Sequence, residues 1–510
     1  MPVANGRLSL LPLLFAMGPA LGQQSDSGGL QEIVVTAQRQ EQSVLSVSDS
    51  VQALAGQQLQ DVGIHDLNNL QFVVPGYLPS MGSGYTQIFI RGIGNSVFVG
   101  ADPSVATYID DVPRIYGSMV NQLIDVERVE VLKGAQGGLY GRNATGGVVN
   151  IVTRQPDTTA LAANALLDYG EYNTLRAAAY ANVPLTDTVG LSFAAERDSH
   201  DPYVRNISTS PTPYTAAMFP GGSILGTAQQ TADYFNSGVR PSNGYDDQSF
   251  WSTDGKLLIK PTSNFKVTLA GDYSMKTDSE GGQIFQTVPA NNQATLTGLL
   301  DLFTHANAQL PANFLKSNAG SFTTSMGLPT PVNLIDYGTS GTAVWNVPGV
   351  DLTSISAYRY QHTFYFTDLG ADTVPVESVR VENFKHFFYQ ELRAVSTLDG
   401  PFHFLGGATY LRNDFTGNTQ AFVLNPLFTA PLTHVNTIVK DVSAYAQVGY
   451  DITQQLNLTA SGRYIHETND TNFTQPVTSA ANATESKFLP SATLSYKLDH
   501  GNIYARWARG

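Results

Sequence analysis

At 510 residues and 42% hydrophobic content the chain can bury a large core, yet only 14% of it is charged, well under the roughly 25% usual in soluble domains. Gly (46), Tyr (24) and Phe (25) are plentiful, a profile that suits a β-rich membrane protein with aromatic girdles better than a cytosolic enzyme. A formal net charge of −14 argues against a nucleic-acid partner, which calls for basic patches, and the lack of cysteine excludes disulfides and thiolate metal sites.

The chain opens with Arg7, an apolar run from Leu8 to Met17, and Ala20-Leu21-Gly22 before Gln23. These three regions predict a secretory signal peptide over residues 1–22. No later stretch reaches the roughly 20 apolar residues of a transmembrane helix, so a membrane location requires a barrel. Residues 23–42 are polar and flexible in composition. Within them Glu32-Ile33-Val34-Val35-Thr36-Ala37 is a short β-prone segment, which on pattern alone reads as an edge strand.

Helical signals cover Gly56 to Ile64 and Asp66 to Val73, stopped by Pro75-Gly76. A strand from Gln87 to Arg91 runs into Gly92-Ile93-Gly94, and Ala106 to Ile109 ends in Asp110-Asp111-Val112-Pro113. Two further β-runs, Val126 to Leu132 and Val148 to Thr153, flank glycines at 134, 137, 138, 141, 146 and 147. Such density predicts tight turns and closely packed backbone.

From about residue 160 the pattern changes to period two. Leu456, Leu458, Ala460, Gly462 and Tyr464 oppose Asn457, Thr459, Ser461 and Arg463; Phe265, Val267, Leu269, Gly271 and Tyr273 oppose Lys266, Thr268, Ala270 and Asp272. Short turns are predicted near 184–188, 261–264, 347–349, 399–401, 451–454 and 499–502. Long polar loops are predicted at about 200–248, 277–332, 416–435 and 467–486. One short side and one long side is the habit of outer-membrane barrels. Roughly thirteen antiparallel strands follow from the alternation, against about 22 in plugged transporters, so the sequence reads as incomplete at its C-terminus with an unclosed apolar edge.

The stretch Glu127 to Leu132, Gln136-Gly137, Leu139 to Ala144 and Gly146 to Thr153 resembles the end of the plug domain of TonB-dependent outer-membrane receptors. Arg91-Gly92 and the Tyr108 to Pro113 hairpin resemble two more plug signatures, in family order. Lys133, Ala135 and Gly138 depart from the family's Arg, Pro and Thr. The resemblance implies a partial all-β transmembrane barrel from 160 to 510 with an α+β plug at 43–155 inside its lumen, in the outer membrane of a Gram-negative bacterium. It identifies Glu32 to Ala37 as similar to the TonB box, an extended peptide able to add to a partner's sheet edge. It also implies that Arg91 and Lys133 pair with a barrel carboxylate, for which Glu391 is the candidate, either as a releasable tie or as a static ion pair. Plug loops at about 82–87 and 94–104, with Ser83, Tyr85, Gln87, Asn95 and Phe98, are candidates for a substrate-facing surface, or plain exposed loops.

No catalytic constellation, metal site or cofactor motif emerges: the nine His lack ligand spacing, and GxxxxGK[ST] is absent. Asp110-Asp111 reads as a turn. The function implied by the resemblance is TonB-dependent import of a scarce ligand, a ferric siderophore by family frequency, with cobalamin, haem or an oligosaccharide as alternatives. A passive porin and a secreted glycan-binding β-protein are rivals from other classes.

Overall fold

The computed structural model describes residues 34–36, 38–40, 42–82, 85–94, 103–114, 123, 125–206, 214–238, 244–279, 294, 297–298, 300–302, 305, 307–310, 323–324, 328–368, 377–423, 428–499 and 501–509. Strand β1 (Val34–Val35) pairs with β2 (Gln42–Ser43), ahead of β3 (Val51–Ala55) and helix α1 (Gly56–Asp61). A 3-10 turn at Asn69–Phe72 occupies the second helical signal. Strands β4 (Tyr77–Gly82) and β5 (Tyr85–Ile90) form a hairpin, and β6 (Val105–Ile109) turns back through β7 (Val112–Pro113). Then come β8 (Val126–Lys133), the single turn α2 (Gly137–Tyr140) and β9 (Gly147–Thr153).

Five of these strands form one mixed sheet in the order β3-β8-β9-β6-β7, with β6 and β9 parallel. Its strands are apolar on both faces because both faces are covered. Val129, Val131, Val149 and Ile151 pack with Leu59, Leu70 and Ile90 on one side. Leu132, Val148, Ala106 and Tyr108 meet Val35, Val47 and Tyr140 on the other, together with Leu405 and Tyr445 from the second half of the chain. At Gly147, φ +151°, a Cβ would stand 2.3 Å from the Leu132 carbonyl oxygen, so the close strand approach depends on glycine.

The second half is a single antiparallel wall. Its strands are β10 (Ala162–Tyr169), β11 (Leu175–Thr186) and β12 (Val189–His200). Between β12 and the next wall strand lie β13 (Val204–Asn206), helix α3 (Ala228–Gly238) and β14 (Gly244–Tyr245). The wall continues with β15 (Gln248–Thr262) and β16 (Phe265–Ser279). The short β17 (Thr323–Thr324) pairs with β13 outside the wall. Next are β18 (Pro331–Val347), β19 (Val350–Asp368), β20 (Glu377–Ser396), β21 (Phe402–Val423) with the appended β22 (Phe428–Thr429), β23 (Thr433–Asp451), β24 (Leu456–Gln475), β25 (Ser479–Leu498) and β26 (Gly501–Ala508). Thirteen strands lie on the path from β10 to β26, and among the described residues these two end strands are not paired with each other.

The alternation resolves into an inverted pattern. Phe193, Trp251, Leu269, Tyr337, Tyr358, Phe388, Leu392, Val442 and Tyr464 are exposed, whereas Glu196, Lys256, Asp336, Arg359, Glu391, Arg393, Asp441 and Arg463 are buried. A wall that hides its charges and shows its apolar side chains is built for lipid outside and a polar lumen inside. Among the described residues no helix is long and apolar enough to cross a membrane.

All six short turns fall between consecutive wall strands. Two of the four long loops do not form as loops. The polar stretches 416–435 and 467–486 largely extend β21, β23, β24 and β25, leaving only residues 476–478 between the last two. Their Thr, Asn and Asp residues continue the ladder beyond the roughly ten residues that span a bilayer, where water-compatible side chains suit both faces.

Candidate functional site

The plug sheet faces the concave side of the wall, and the seam between them gathers the molecule's buried charge. The N-terminal segment is the first component. Val35 is fully buried, and the Thr36 backbone N–H donates to Glu130 Oε1 at 2.8 Å. Glu130, itself buried on β8, also accepts from Arg128 Nε at 2.8 Å and from Asn150 Nδ2 at 3.1 Å. An internal carboxylate with these donors is a strong acceptor for one more N–H. Of the segment Glu32 to Ala37, residues Val34, Val35 and Thr36 therefore rest on the plug's own sheet; Glu32, Ile33 and Ala37 lie outside the described residues.

Arg39 follows in a left-handed conformation, φ +61°. Its guanidinium lies 4.7 Å from the Tyr108 ring centroid and 4.4 Å from that of Tyr140, and Nη1 donates to Asp111 Oδ1 at 2.8 Å. Glu391 Oε2 of β20 stands 3.9 Å away. The other Asp111 oxygen accepts from Arg393 Nη2 at 2.7 Å, and Tyr389 and Tyr445 hydroxyls donate to Glu391 at 2.8 and 2.5 Å. One buried cluster thus ties N-terminal segment, plug and wall. Burial alone would raise the Asp111 carboxyl, but Arg393 and Arg39 outweigh it and hold it well below the usual carboxylate range. The turn that presents it, Asp110-Asp111 with φ +49° and +66°, has the two left-handed residues of a type I′ hairpin turn.

Asp110 faces β15. It accepts from Lys256 Nζ at 3.0 Å and from the Thr153 amide at 2.9 Å, and Lys256 also reaches the Arg154 carbonyl at 3.0 Å, fixing the end of β9. Nearby, Arg359 of β19 binds both oxygens of Asp272 at 2.8 and 2.7 Å and bonds to Asp336, while Arg114 of the plug approaches Asp272 at 3.6 Å. Asp125 lies close by with a carboxyl group 2% exposed and no hydrogen-bond partner on either oxygen. Burial pushes it up to about 7, against the attraction of Lys256 and Arg154.

On the far side of the plug the contacts are lighter. Arg463 of β24 donates to the Leu139 carbonyl at 3.2 Å and to Thr409 Oγ1 at 2.6 Å, and Arg142 pairs with Glu467 at 3.3 Å. Gly141, φ +80°, is required here, because a Cβ would stand 2.8 Å from the Arg463 guanidinium carbon. Arg506 of β26 bonds to Asp49 and, at 3.2 Å, to the Ala135 carbonyl.

The expected pairing of Arg91 and Lys133 with Glu391 does not form. Arg91 Nη2 donates to Ser50 Oγ at 2.7 Å, and Lys133 Nζ to the Pro75 carbonyl at 2.9 Å and Gln52 Oε1 at 3.2 Å. Partial burial and then the neighbouring Arg91 push the Lys133 ammonium down, so the two cations crowd each other at one end of the plug. Glu391 does sit on the seam, and its cations are Arg39 and Arg393. The alternation rule could have found Arg393, two residues from Glu391 on the same face. Nothing local marks Arg39, in a stretch that reads as tether. Of the expected substrate-facing residues, Tyr85 and Gln87 are in β5, paired with Gly82 and Ser80; Ser83, Asn95 and Phe98 lie outside the described residues.

Residues 43–148 match the family model of the TonB-dependent Receptor Plug Domain. The pesticin receptor of Yersinia pestis is 38% identical over 162 residues, covering 31% of this chain and 23% of its own length. The ferric-pyoverdine 358 receptor of Pseudomonas putida is 25% identical over 302 residues, 53% of this chain and 36% of that one. Among solved structures, the ferric yersiniabactin uptake receptor of Yersinia pestis superposes with a TM-score of 0.70 at 18% identity, over 90% of this chain and 64% of that one. The siderophore receptor of Acinetobacter baumannii gives 0.66 at 15%, over 92% and 65%. The chain therefore spans less than two thirds of the length of these relatives. Residues 43–148 are thus similar to a TonB-dependent receptor plug domain, and the lipid-facing wall they lie against shares the fold of those solved receptors.

Proposed function

We propose that this protein takes up a ferric siderophore across the outer membrane, driven by a pull from TonB on the N-terminal segment. One observation carries the reading: residues 34–39 are bonded at once to the plug sheet through Glu130 and to the wall through the Arg39, Asp111, Glu391 and Arg393 cluster. Tension applied upstream of Val34 reaches the plug through those bonds, and they are few enough to be broken in sequence. An extended segment such as Glu32 to Ala37 can lend its backbone to a partner's sheet edge once it leaves Glu130. The names of the ferric-pyoverdine and ferric yersiniabactin receptors favour iron-chelate cargo, and those of the vitamin B12 transporters that also match keep cobalamin as the alternative.

Uptake of radiolabelled iron in a strain stripped of its own siderophore receptors tests this. Expression of the protein should restore uptake of one or more ferric siderophores only when TonB is present, and deletion of Glu32 to Ala37 should abolish uptake while surface binding persists. Restoration without TonB would favour a passive pore, and restoration of cobalamin or haem uptake alone would reassign the cargo.

A further inference from the structure

The two flanks of the plug meet the wall in different ways. Toward β15 to β20 the seam is sealed by buried charges: Lys256 with Asp110, Asp272 with Arg114, and Arg393 with Asp111. Parting them would leave charges unpaired in a dry site, where each depends on its partner. Toward β24 to β26 the ion pairs are fewer and their cations less buried, Arg142 with Glu467 and Arg506 with Asp49. Gly138 faces the serine pair Ser461 and Ser491, with room for a Cβ 3.4 Å from Ser461 Oγ, and Gly137 lies against Leu489. Beneath this turn opens a cavity of about 320 Å³. Its sides are mostly hydroxyl and amide groups, among them Thr459, Ser461 and Ser491 from the wall with Gln38 and Gln42 from the N-terminal segment, and Asp49, Asp451, Lys497 and Arg506 add charge to the lining. The cavity on the charged flank is about 40 Å³, and one of about 70 Å³ lies between Phe387 of β20 and the Arg142 and Arg463 side of the turn.

We infer that cargo crosses on the β24–β25 flank: the turn at residues 134–147 is the gate, and the hydroxyl- and amide-lined cavity beneath it is the vestibule that receives a hydrophilic, hydrogen-bonding ligand. This rests on the import reading above. The gate is fastened to the wall by Arg463 to the Leu139 carbonyl, Arg142 to Glu467 and Arg506 to the Ala135 carbonyl. The vestibule shares a side with the segment that would be pulled, so tension on residues 38–49 enlarges it in the step that frees the turn. The charged flank stays closed and acts as the pivot.

The chain holds no cysteine, so an introduced pair forms the sole disulfide. Gly138→Cys with Ser461→Cys should cross-link under oxidation, since the Cβ placed on residue 138 lies within disulfide reach of Ser461. Oxidised protein should bind siderophore on intact cells and fail to import it, with import restored by reduction. Thr459→Trp, which narrows the vestibule without touching the plug fastenings, should slow import several-fold at unchanged binding. Wild-type import by the oxidised pair, or by Thr459→Trp, overturns the gate. Absence of TonB-dependent import in the reduced and wild-type proteins overturns the import reading instead.

Discussion

The two flanks of the plug follow different physical rules, and their contrast says how a seated plug can be both tight and movable. Where the plug meets β15 to β20, acids and bases alternate across the boundary, and each is safe only while its partner stays. Where it meets β24 to β26, ion pairs are fewer, and small side chains and backbone carbonyls mostly face hydroxyl groups, which water can replace at little cost. A uniform seam of either kind would be locked or leaking.

Asp111→Ala should have the largest effect of any single change. It leaves Arg39 and Arg393 buried beside Glu391 alone, and removing one partner from such a cluster costs about 3–5 kcal/mol. The plug should unseat at lower denaturant, read by protease sensitivity of residues 43–155 in the folded wall. Asp125 sharpens the same flank through pH. Its folded carboxyl is raised from 3.8 to about 7 by burial, so its protonated form fits best. Plug stability should be greatest below pH 3.8 for this group, fall as pH rises toward 7, and level off above. Asp125→Asn should flatten that slope and stabilise the plug at pH 8. Asp111 has the opposite sign: its contribution is present at neutral pH and is lost only in acid, below the ordinary carboxylate range.

Arg463→Met loses the bonds to Leu139 and Thr409, and should cost about 1.5–3 kcal/mol, the scale of a charged hydrogen bond. It should loosen the 134–147 turn, read by hydrogen exchange there, without disturbing the Arg39 cluster. Arg91→Ala, which removes an exposed bond to Ser50, should stay within about 0.5 kcal/mol. A large effect there would mean that the Arg91 end of the plug bears on the wall after all.

Much of this was legible in the sequence because it rests on local rules. The alternation in Phe265 to Tyr273 and Leu456 to Tyr464 gave strand, face and the short turns, and the glycine-rich motif gave the β8 to β9 connection. The reach of β24 and β25 was hidden, since Thr, Asn and Asp beyond the bilayer read as loop whether or not they stay paired. The Arg39 cluster was hidden for a different reason. Its carboxylates are 72 and 352 positions away, Asp111 and Glu391, and no periodicity spans such gaps. Motif position drew Arg91 and Lys133 toward Glu391; the fold turns them to the opposite end of the plug, where backbone and amide oxygens suffice.

Thiol labelling during transport tests the asymmetry most directly, using Leu489→Cys on the β25 flank and Ser252→Cys on the β15 flank, both buried at rest. In cells importing siderophore with TonB active, Leu489→Cys should become reactive toward a membrane-impermeant reagent while Ser252→Cys stays protected. Labelling of Ser252→Cys first, or of both at equal rates, would contradict the account.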